Sequence, residues 1–420
     1  MNTPLTAAFP MHRLLFALLA AAFTPPLATA AGMASFEASV SLRAVIDRAA
    51  LLDPALRTLD ARAGEIDASR AVAASLFPAP PTVSTSLRRD RPDRDLGKNE
   101  VEFEVGVPLW LPGQRALRER LAAGEGGDRD GALGDARLQL AGQVREALWQ
   151  VAFAQVEHSA ARRRVETVQR VVADVQRRVD RGVLARTDLL LVQSEAVIAR
   201  ALVIDTGLQV DRALQAWHAL TGESALPAHY VELVTPAVVT PTDSPAHPTL
   251  LAAAGQVALA RARLDLASEV NRDPPEIALQ HRSDRDVSGA EYRNSVRVAL
   301  RIPLSTDARN RPRIAAANTE LIRVQSGALQ ARRRLDADQA RAQAEFDAAL
   351  AQRVLAGDRQ RIAAEHLSLI ERAFDLGEQS LVVLLRAGAL AHEADADLTR
   401  QSAARDRAVA RLNQAAGVMP

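Results

Sequence analysis

The chain has 420 residues, a formal net charge of +1 and no cysteine, which excludes disulfide bonds and thiolate metal sites. Aromatic residues make up 3% of the sequence, and Lys98 is the single lysine among 52 basic residues. Because 51 acidic residues balance the arginines, the composition argues against nucleic-acid binding and is typical of long helices and coiled coils.

Residues 1–30 have the pattern of a secretory signal peptide. Arg13 precedes an apolar run from Leu14 to Ala22, and Ala28-Thr29-Ala30 has the small side chains of a cleavage site. We therefore predict removal of this segment after Ala30, in preference to a buried N-terminal helix. No later stretch has about 18 uninterrupted apolar residues, so the sequence predicts no membrane-spanning helix.

A helix and a β-hairpin come next. Helical periodicity runs from Leu42 to Leu76 with a break at Asp53-Pro54, as proline requires. The helix ends at a proline cluster, and the period then changes from 3.6 to 2. Alternation over residues 83–87 and 100–107, separated by a polar loop at 88–99, predicts the two strands of a hairpin.

A very long helical pattern over residues 113–180 follows, about 100 Å long at a rise of about 1.5 Å per residue. Gly182 interrupts it, and a return helix runs to Gly222. Valines recur on the long helix with spacings of three and four, an a/d seam for wrapping a neighbouring helix: Val165, Val168, Val172, Val175 and Val179. A second long helix at 308–376 has apolar residues at intervals of seven: Leu355, Ile362, Leu369 and Leu376.

The second half of the chain repeats the first. Val107-Pro108-Leu109 returns as Ile302-Pro303-Leu304, and Gly182 returns as Gly377, both displaced by 195 residues (107 to 302, 182 to 377). Asp53-Pro54-Ala55-Leu56 matches His247-Pro248-Thr249-Leu250. The second repeat should contain a helix at about 247–270, strands near 277–279 and 296–302, and between them a loop from about Arg282 to Ala290. We predict a signal peptide at 1–30, repeats at 31–222 and 247–420, and a linker at 223–246.

The predicted fold is mainly α with a small β part, because only the two hairpins supply strands. One face of their second strands is apolar (Val101, Phe103, Val105; Val296, Val298, Leu300) and the other is charged (Glu102, Glu104; Arg297, Arg301). The plain alternative is a half-buried sheet over a soluble core, but no other predicted sheet could cover the apolar face. Four strands cannot close a barrel, and open edges in lipid cost several kcal/mol per group, so a membrane-spanning role requires two or more chains to pool their strands.

Five glycines fall within the first long helix, at 124, 126, 127, 131 and 134. At up to about 1 kcal/mol each relative to alanine, they should loosen or interrupt it. The second repeat has Ala315, Ala316 and Ala317 in that region, and the sequence suggests no function for this difference.

The sequence contains no arrangement typical of an enzyme, a phosphate-binding loop or a cofactor site. The eight histidines lack metal-ligand spacing, and His392-Glu393, with Asp395 and Asp397 nearby, comes nearest to a metal site. We interpret that group as a solvated helix face, and we predict no catalytic residue, no metal and no cofactor.

The ordered motifs, each present twice, resemble the TolC-like outer membrane efflux protein family over about residues 38–418. The stretches from Pro108 to Arg115 and from Ile302 to Asn310 look most like its heavy-metal branch, the cobalt-zinc-cadmium type. The resemblance implies a homotrimer in which tandem long α-hairpins form an α-barrel in the periplasm. Its four strands per chain would contribute to one transmembrane β-barrel in the outer membrane.

The resemblance also implies partners and roles: a periplasmic adaptor (membrane fusion) protein, an inner-membrane pump of the resistance-nodulation-division type, and outer-membrane lipid. The charged strand residues would face the pore and the apolar ones the lipid. The two turns would be periplasmic tips that dock the adaptor and form the gate, with these residues: Gly182, Val183, Leu184, Thr187, Asp188, Gly377, Leu381, Leu384 and Arg386. Some family members have acidic rings at the gate, whereas Val383 and Arg386 occupy those positions here, so an acidic gate is not expected.

Two functions of different classes remain open at this stage. One is a passive export duct of a tripartite efflux system, for heavy-metal cations or, alternatively, for drugs or secreted polypeptides. The other is a soluble periplasmic coiled-coil adaptor or scaffold. The scaffold accounts for the helical seams but leaves the two matched hairpins unexplained.

Overall fold

A computed structural model describes residues 36–37, 40–90, 96–235 and 247–420. The predicted signal peptide at 1–30 lies outside the described residues, as do residues 236–246 of the predicted linker. No helix in the described ranges is long and apolar enough to cross a membrane.

The elements of the described chain follow the predicted duplication. In the first repeat they are β1 (Phe36–Glu37), α1 (Leu42–Leu52), α2 (Pro54–Ala74), β2 (Thr82–Arg89), β3 (Asn99–Pro108), α3 (Gln114–Asp180) and α4 (Arg186–Thr221). The short strand β4 (Leu226–Pro227) lies in the predicted linker. In the second they are α5 (Pro248–Glu269), β5 (Glu276–Arg285), β6 (Arg293–Arg301), α6 (Asp307–Asp375) and α7 (Leu381–Ala415). The predicted long helices agree with α3 and α6 to within one residue at each end.

Both predicted proline breaks are helix starts. Asp53 ends α1 and caps α2, since its carboxylate accepts the backbone N–H of Leu56 at 2.8 Å. His247 Nδ1 accepts the N–H of Thr249 at 3.2 Å at the start of α5. Pro54 and Pro248 stand in the first helical turn, where the missing N–H costs nothing.

The four long strands form one antiparallel sheet in the order β2-β3-β5-β6. Val105 lies opposite both Val83 and Leu279, so the hairpins join through β3 and β5 with their alternation in phase. The predicted loop from Arg282 to Ala290 was wrong at its start, because β5 continues to Arg285. Beyond Leu279 the strand loses apolar alternation, and ion pairs on its polar side hold it to β3 and β6.

The long helices form two hairpins, α3 with α4 and α6 with α7, and the hairpins meet where α3 packs on α7. The main hydrophobic core lies away from the turns that close the hairpins, where α1 and β4 pack against the middle of α3 and the end of α4. Its largest fully buried side chain is Trp217, and Trp149 stacks edge-on with Tyr230 at a ring distance of 5.5 Å.

A buried ion pair fastens the segment after α4 to this core. Arg145 of α3 is 3% exposed and donates to both carboxylate oxygens of Glu232 at 2.7 and 2.8 Å. It also donates to the carbonyl oxygen of Val418 at 3.0 Å, and Asn413 donates to Glu232 at 3.0 Å. Because removal of one partner would leave a buried charge, this network fixes the inter-repeat segment and the end of the second repeat on α3.

The glycine-rich stretch does not interrupt α3, so that prediction was wrong. The backbones of α3 and α5 approach each other there: a Cβ atom on Gly131 would lie 2.8 Å from Cα of Ala252, and one on Gly255 would lie 2.9 Å from the carbonyl oxygen of Gly127. At these close approaches, packing offsets the helix-propensity cost of about 1 kcal/mol per glycine. A side chain at Gly131 or Gly255 would hold α5 away from α3, whereas Gly127 and Gly134 have room for a methyl group.

Substitution at Gly131 tests this account. We expect Gly131→Ala to destabilise the protein by about 1–3 kcal/mol, because its methyl group overlaps the α5 backbone. Gly134→Ala, three residues away with 3.9 Å of clearance to Pro248, should instead stabilise by up to about 1 kcal/mol. Denaturant unfolding followed by circular dichroism measures both values, and shifts in the same direction would contradict the packing account.

Candidate functional sites: the two-faced sheet and the helical tips

The four-stranded sheet has one apolar and one charged face. The cross-strand register aligns the apolar residues in rows, such as Val83, Val105, Leu279 and Val298. The predicted apolar residues share that face, and the predicted charged residues share the other. Four further apolar residues extend the face beyond the prediction, and their own strands' alternation signals them: Val83, Leu87, Ile277 and Leu279.

The burial of these faces is the reverse of that in a water-soluble sheet. On the apolar face Val298 is 71% exposed and Val83 is 66% exposed. On the charged face Glu100 is 6% exposed and Ala278 is fully buried. The apolar side chains of this sheet therefore cover no core within the described chain, and an exposed apolar surface of this size is typical of an interaction surface.

Ion pairs neutralise most of the charged face. Arg282 lies 3.0 Å from Glu100 and 3.9 Å from Asp284. Arg301 lies 2.9 Å from Glu104 and 3.3 Å from Glu276. Of the predicted charged residues, Glu104 and Arg301 therefore contact each other directly, whereas Glu102 approaches Arg282 at 4.0 Å. The carboxylates Glu100, Glu102 and Glu104 follow one another along β3, and arginines of β5 and β6 offset their charge.

The two helical turns have the same backbone construction. Gly182 and Gly377 adopt φ angles of 77° and 79°, the left-handed region in which a side chain would be strained. At each turn the N–H of the next residue donates to a carbonyl oxygen five positions earlier, at 2.9 Å for Val183 and 2.8 Å for Glu378. This motif closes each long helix and reverses the chain.

A small hydrophobic cluster joins the two turns. Its buried members come from all four long helices: Val175, Val192, Phe374 and Leu381. Arg178 of α3 binds Asp375 of α6 at 2.6 Å and lies over the Phe374 ring at 4.7 Å. We call these residues, with Asp174, the tip cluster. The sequence analysis missed Arg178, because nothing in a single helical pattern indicates which residue faces the other hairpin.

Asp174 adds a pH-dependent contribution to the tip cluster. Burial raises the pKa of its carboxyl group, but hydrogen bonds from Arg177 and Arg178 more than offset this, so the pKa lies below its usual 3.8. Because the pKa of this carboxyl group is lower in the folded state, its ionised form stabilises the fold at pH values above the pKa of the unfolded state. That stabilisation is complete at neutral pH and disappears as the pH falls through the lowered pKa.

The predicted docking residues divide into exposed and supporting ones. Gly182, Val183, Thr187, Gly377 and Arg386 are exposed at the turns. The other four have internal contacts: Leu381 is buried in the tip cluster, Leu184 and Leu384 pack against it, and Asp188 accepts the N–H of Ala185 at 3.2 Å.

Two outer helices carry apolar stripes that have no cover in the described chain. On α4 the stripe is Leu190, Val197 and Ile204; on α6 it is Leu355, Ile362 and Leu369, all more than half exposed. Counted from Gly182 and Gly377, the members lie 8, 15 and 22 residues from the turn on both helices (for example 197 − 182 and 377 − 362). The predicted heptad on α6 therefore faces outward, and a stripe of matching spacing faces outward on α4.

The described residues contain no group of three or more His, Asp or Glu side chains that could hold a metal ion. His392 lies on α7 with a half-buried ring, and Glu393 and Asp397 pair with Arg359 at 2.7 and 3.6 Å.

The role of Arg178 can be tested by hydrogen exchange. We expect Arg178→Met to raise exchange in residues 171–192 and 371–385, with about 1 kcal/mol lost locally, and to leave α3 near Trp149 unchanged. Arg177→Met is the matched control, because Arg177 is exposed and, among the described residues, forms its ion pair with Asp174 of its own helix. Equal effects of the two substitutions would show that Arg178 does not join the hairpins.

Comparison with known proteins shows both a sequence match and a fold match. Residues 45–223 match the family model described as "Outer membrane efflux protein". No curated protein matches the chain. The outer membrane protein VceC of Vibrio cholerae is 14% identical and has a TM-score of 0.71, with 90% of this chain and 96% of that chain covered.

Two further solved structures have the same likeness. The CmeC outer membrane channel of Campylobacter jejuni is 12% identical with a TM-score of 0.70, covering 90% of this chain and 85% of that one. A membrane protein from Pseudomonas aeruginosa is 18% identical with a TM-score of 0.72, covering 91% and 92%. The predicted fold class is thus confirmed: the first repeat matches the outer membrane efflux protein family in sequence, and the chain has the fold of outer membrane channels.

Proposed function

We propose that this protein is the outer-membrane channel of a tripartite efflux system, a passive duct that acts as a homotrimer. The observation that carries the proposal is the reversed burial of the sheet: its apolar face is exposed, whereas the charged face is largely buried on the two central strands, β3 and β5. The family match of the first repeat and the fold of the whole chain support the same conclusion. A duct of this kind needs no catalytic residue, because the pump supplies the energy.

Strand length and strand number support a barrel shared between chains. β3 and β5 each have 10 residues, within the 9–11 that cross a bilayer at a tilt of about 45°. β2 and β6 lie at the edges of the sheet, and backbone groups at an open edge cannot be left unpaired in lipid. Three chains supply twelve strands, an even number within the range of bacterial barrels, and pairing β6 of one chain with β2 of the next closes the barrel.

Aromatic side chains at both ends of the sheet fit the two membrane interfaces. Trp110 follows β3 by two residues, and its indole N–H donates to the carbonyl oxygen of Ser75 at 3.2 Å. Tyr292 lies at the opposite end, where its hydroxyl accepts from the Asn99 side chain at 3.0 Å. Aromatic rings concentrate at the lipid headgroups. The apolar face between them is proposed to contact lipid, and the charged face to line the pore.

The apolar stripes on α4 and α6 support the same trimer. In the proposed trimer, Val197 of one chain would lie level with Ile362 of the next, because the two stripes are equally distant from the turns. The Arg178–Asp375 ion pair, which joins the two turns of a chain, supports this arrangement. Joining these edges buries two exposed heptad stripes, which is the usual driving force of coiled-coil association. Twelve long helices would then form the α-barrel in the periplasm.

The exposed turn residues are proposed as the site that docks a periplasmic adaptor, through which a pump of the resistance-nodulation-division type is reached. They carry little acidic charge: Asp188 is engaged as a helix cap, and Val383 and Arg386 stand at the corresponding second-repeat positions. The gate is therefore proposed to close by apolar packing in the tip cluster and not by cation-binding acidic rings.

The proposed cargo is heavy-metal cations, on the resemblance of residues 108–115 and 302–310 to the heavy-metal branch. The charged face of the sheet gives a cation no net attraction, because arginine and carboxylate alternate across it. Selection of cargo is accordingly assigned to the pump and not to the duct.

Substitution on adjacent residues of β6 tests the orientation of the sheet. Val296 is on the apolar face, and we expect Val296→Arg to cost about 2–4 kcal/mol in the bilayer and to prevent stable trimers. Ser295→Arg is the matched control, since Ser295 lies on the charged face opposite Arg282 and in the same row as Glu102. The amount of heat-resistant oligomer in outer-membrane fractions measures the result. If Ser295→Arg lost its oligomers and Val296→Arg kept them, the two faces would be assigned the wrong way round.

Cysteine cross-linking tests the helical interface, and the cysteine-free chain needs no prior substitutions. Val197→Cys combined with Ile362→Cys should give cross-linked dimers and trimers with a short bismaleimide. Val197→Cys combined with Leu329→Cys, an exposed α6 position far from that level, should remain monomeric on denaturing gels. A purified protein that is soluble and monomeric without detergent would instead support the scaffold alternative.

A further inference from the structure

A cavity of about 300 Å³ lies between the two helical hairpins, beyond the tip cluster. It is lined from both hairpins: by α3 with Val168 and Val171, by α4 with Glu195, by α6 with Leu367 and by α7 around Gly388. We call it the seam cavity. It exists because α7 presents Gly388 and Ala389 to the seam, and a Cβ atom on Gly388 would meet no other atom within 4 Å.

The walls of the seam cavity are apolar, and its polar groups are few. Val168, Val171, Leu367, Leu384 and Leu385 supply the apolar surface. A volume of this size with an apolar lining and a few polar groups is typical of small-molecule sites. The apolar walls therefore suit a compact hydrocarbon body, such as a fused or branched ring system.

The polar groups at one end of the cavity favour an anion. Arg164 lies 3.4 Å from Glu195, a loose pair, and Arg386 has no ion pair in the part of the chain that the structure describes. Glu371 at the rim is the other acidic residue of the lining. An additional carboxylate would give Arg386 the partner that it lacks.

We propose that the seam cavity binds a small amphipathic organic anion, with its carboxylate toward Arg386 and its apolar body against the leucine and valine walls. Because the ligand contacts both hairpins, it stabilises the arrangement seen here against their separation. This inference concerns the helical part of the chain and does not depend on the proposed function.

The test uses the full-length purified protein in detergent, 1-naphthoate as probe, and isothermal titration calorimetry. Gly388→Leu fills the cavity and should weaken binding at least tenfold. Gly327→Leu is the matched control, because Gly327 lies on the exposed surface of α6 with no atom near its Cβ position, and its affinity should equal that of the wild type. Partition of the probe into micelles is common to all variants and cancels in the comparison.

Charge is tested separately, with a variant that leaves the packing unchanged. Arg386→Gln alters an exposed side chain and should weaken 1-naphthoate binding about threefold to tenfold, whereas the neutral analogue 1-naphthalenemethanol should bind the wild type at least tenfold more weakly than 1-naphthoate does. Equal affinities of wild type and Gly388→Leu would overturn the site. Equal affinities of the acid and the alcohol would overturn the anionic class of ligand.

Discussion

The free edges and uncovered face of the four-stranded sheet are the constraint on which the rest of the molecule depends. β2 and β6 end the sheet on either side, and the apolar face has no protein cover among the described residues. In water such a sheet would aggregate through its edges, and in lipid each unpaired backbone group would cost several kcal/mol. The proposed trimer would solve both problems, because closure with further copies of the chain in a membrane pairs the edges and gives the apolar face a lipid environment. In that assembly the exposed valine side chains would contact lipid hydrocarbon and not water.

The long helices, like the sheet, have an apolar surface that the described chain leaves uncovered. α3 and α7 are covered on several sides, whereas α4 and α6 lie at the outside of the two hairpins and keep an apolar stripe each. The stripes are equally spaced from the turns, so their match depends on the turns staying level. Arg178 provides this, because it connects Asp174 of its own helix with Asp375 and Phe374 of the other hairpin. In the proposed trimer, a contact inside one chain would thus set the register between chains.

Much of this architecture follows from sequence patterns, because its elements are long and repeat. The bounds of α3 and α6, the turns at Gly182 and Gly377, and the faces of β3 and β6 all result from strong local periodicity. The end of β5 could not be predicted, since its last residues pair through charges on neighbouring strands. The tip cluster could not be predicted either, because the partner of Arg178 lies 197 residues away. Local patterns show which side of a helix is apolar, but not which neighbour covers it.

The glycines of α3 also show that local sequence patterns do not reveal which neighbour packs on a helix. Propensity alone predicts a weakened helix, yet the helix is continuous because α5 packs directly on its backbone. Displaced by 195 residues, the corresponding stretch 319–329 of α6 has one glycine, Gly327. The two repeats also have unequal surroundings: α3 has neighbours in α2, α4, α5 and α7, whereas α6 packs on α5 and α7. Duplication therefore supplied two similar chains of elements, and the different packing around each made a glycine favourable in one repeat and unnecessary in the other. Gly388 on α7 differs from both, because no residue packs on it. The empty space beside it is the seam cavity.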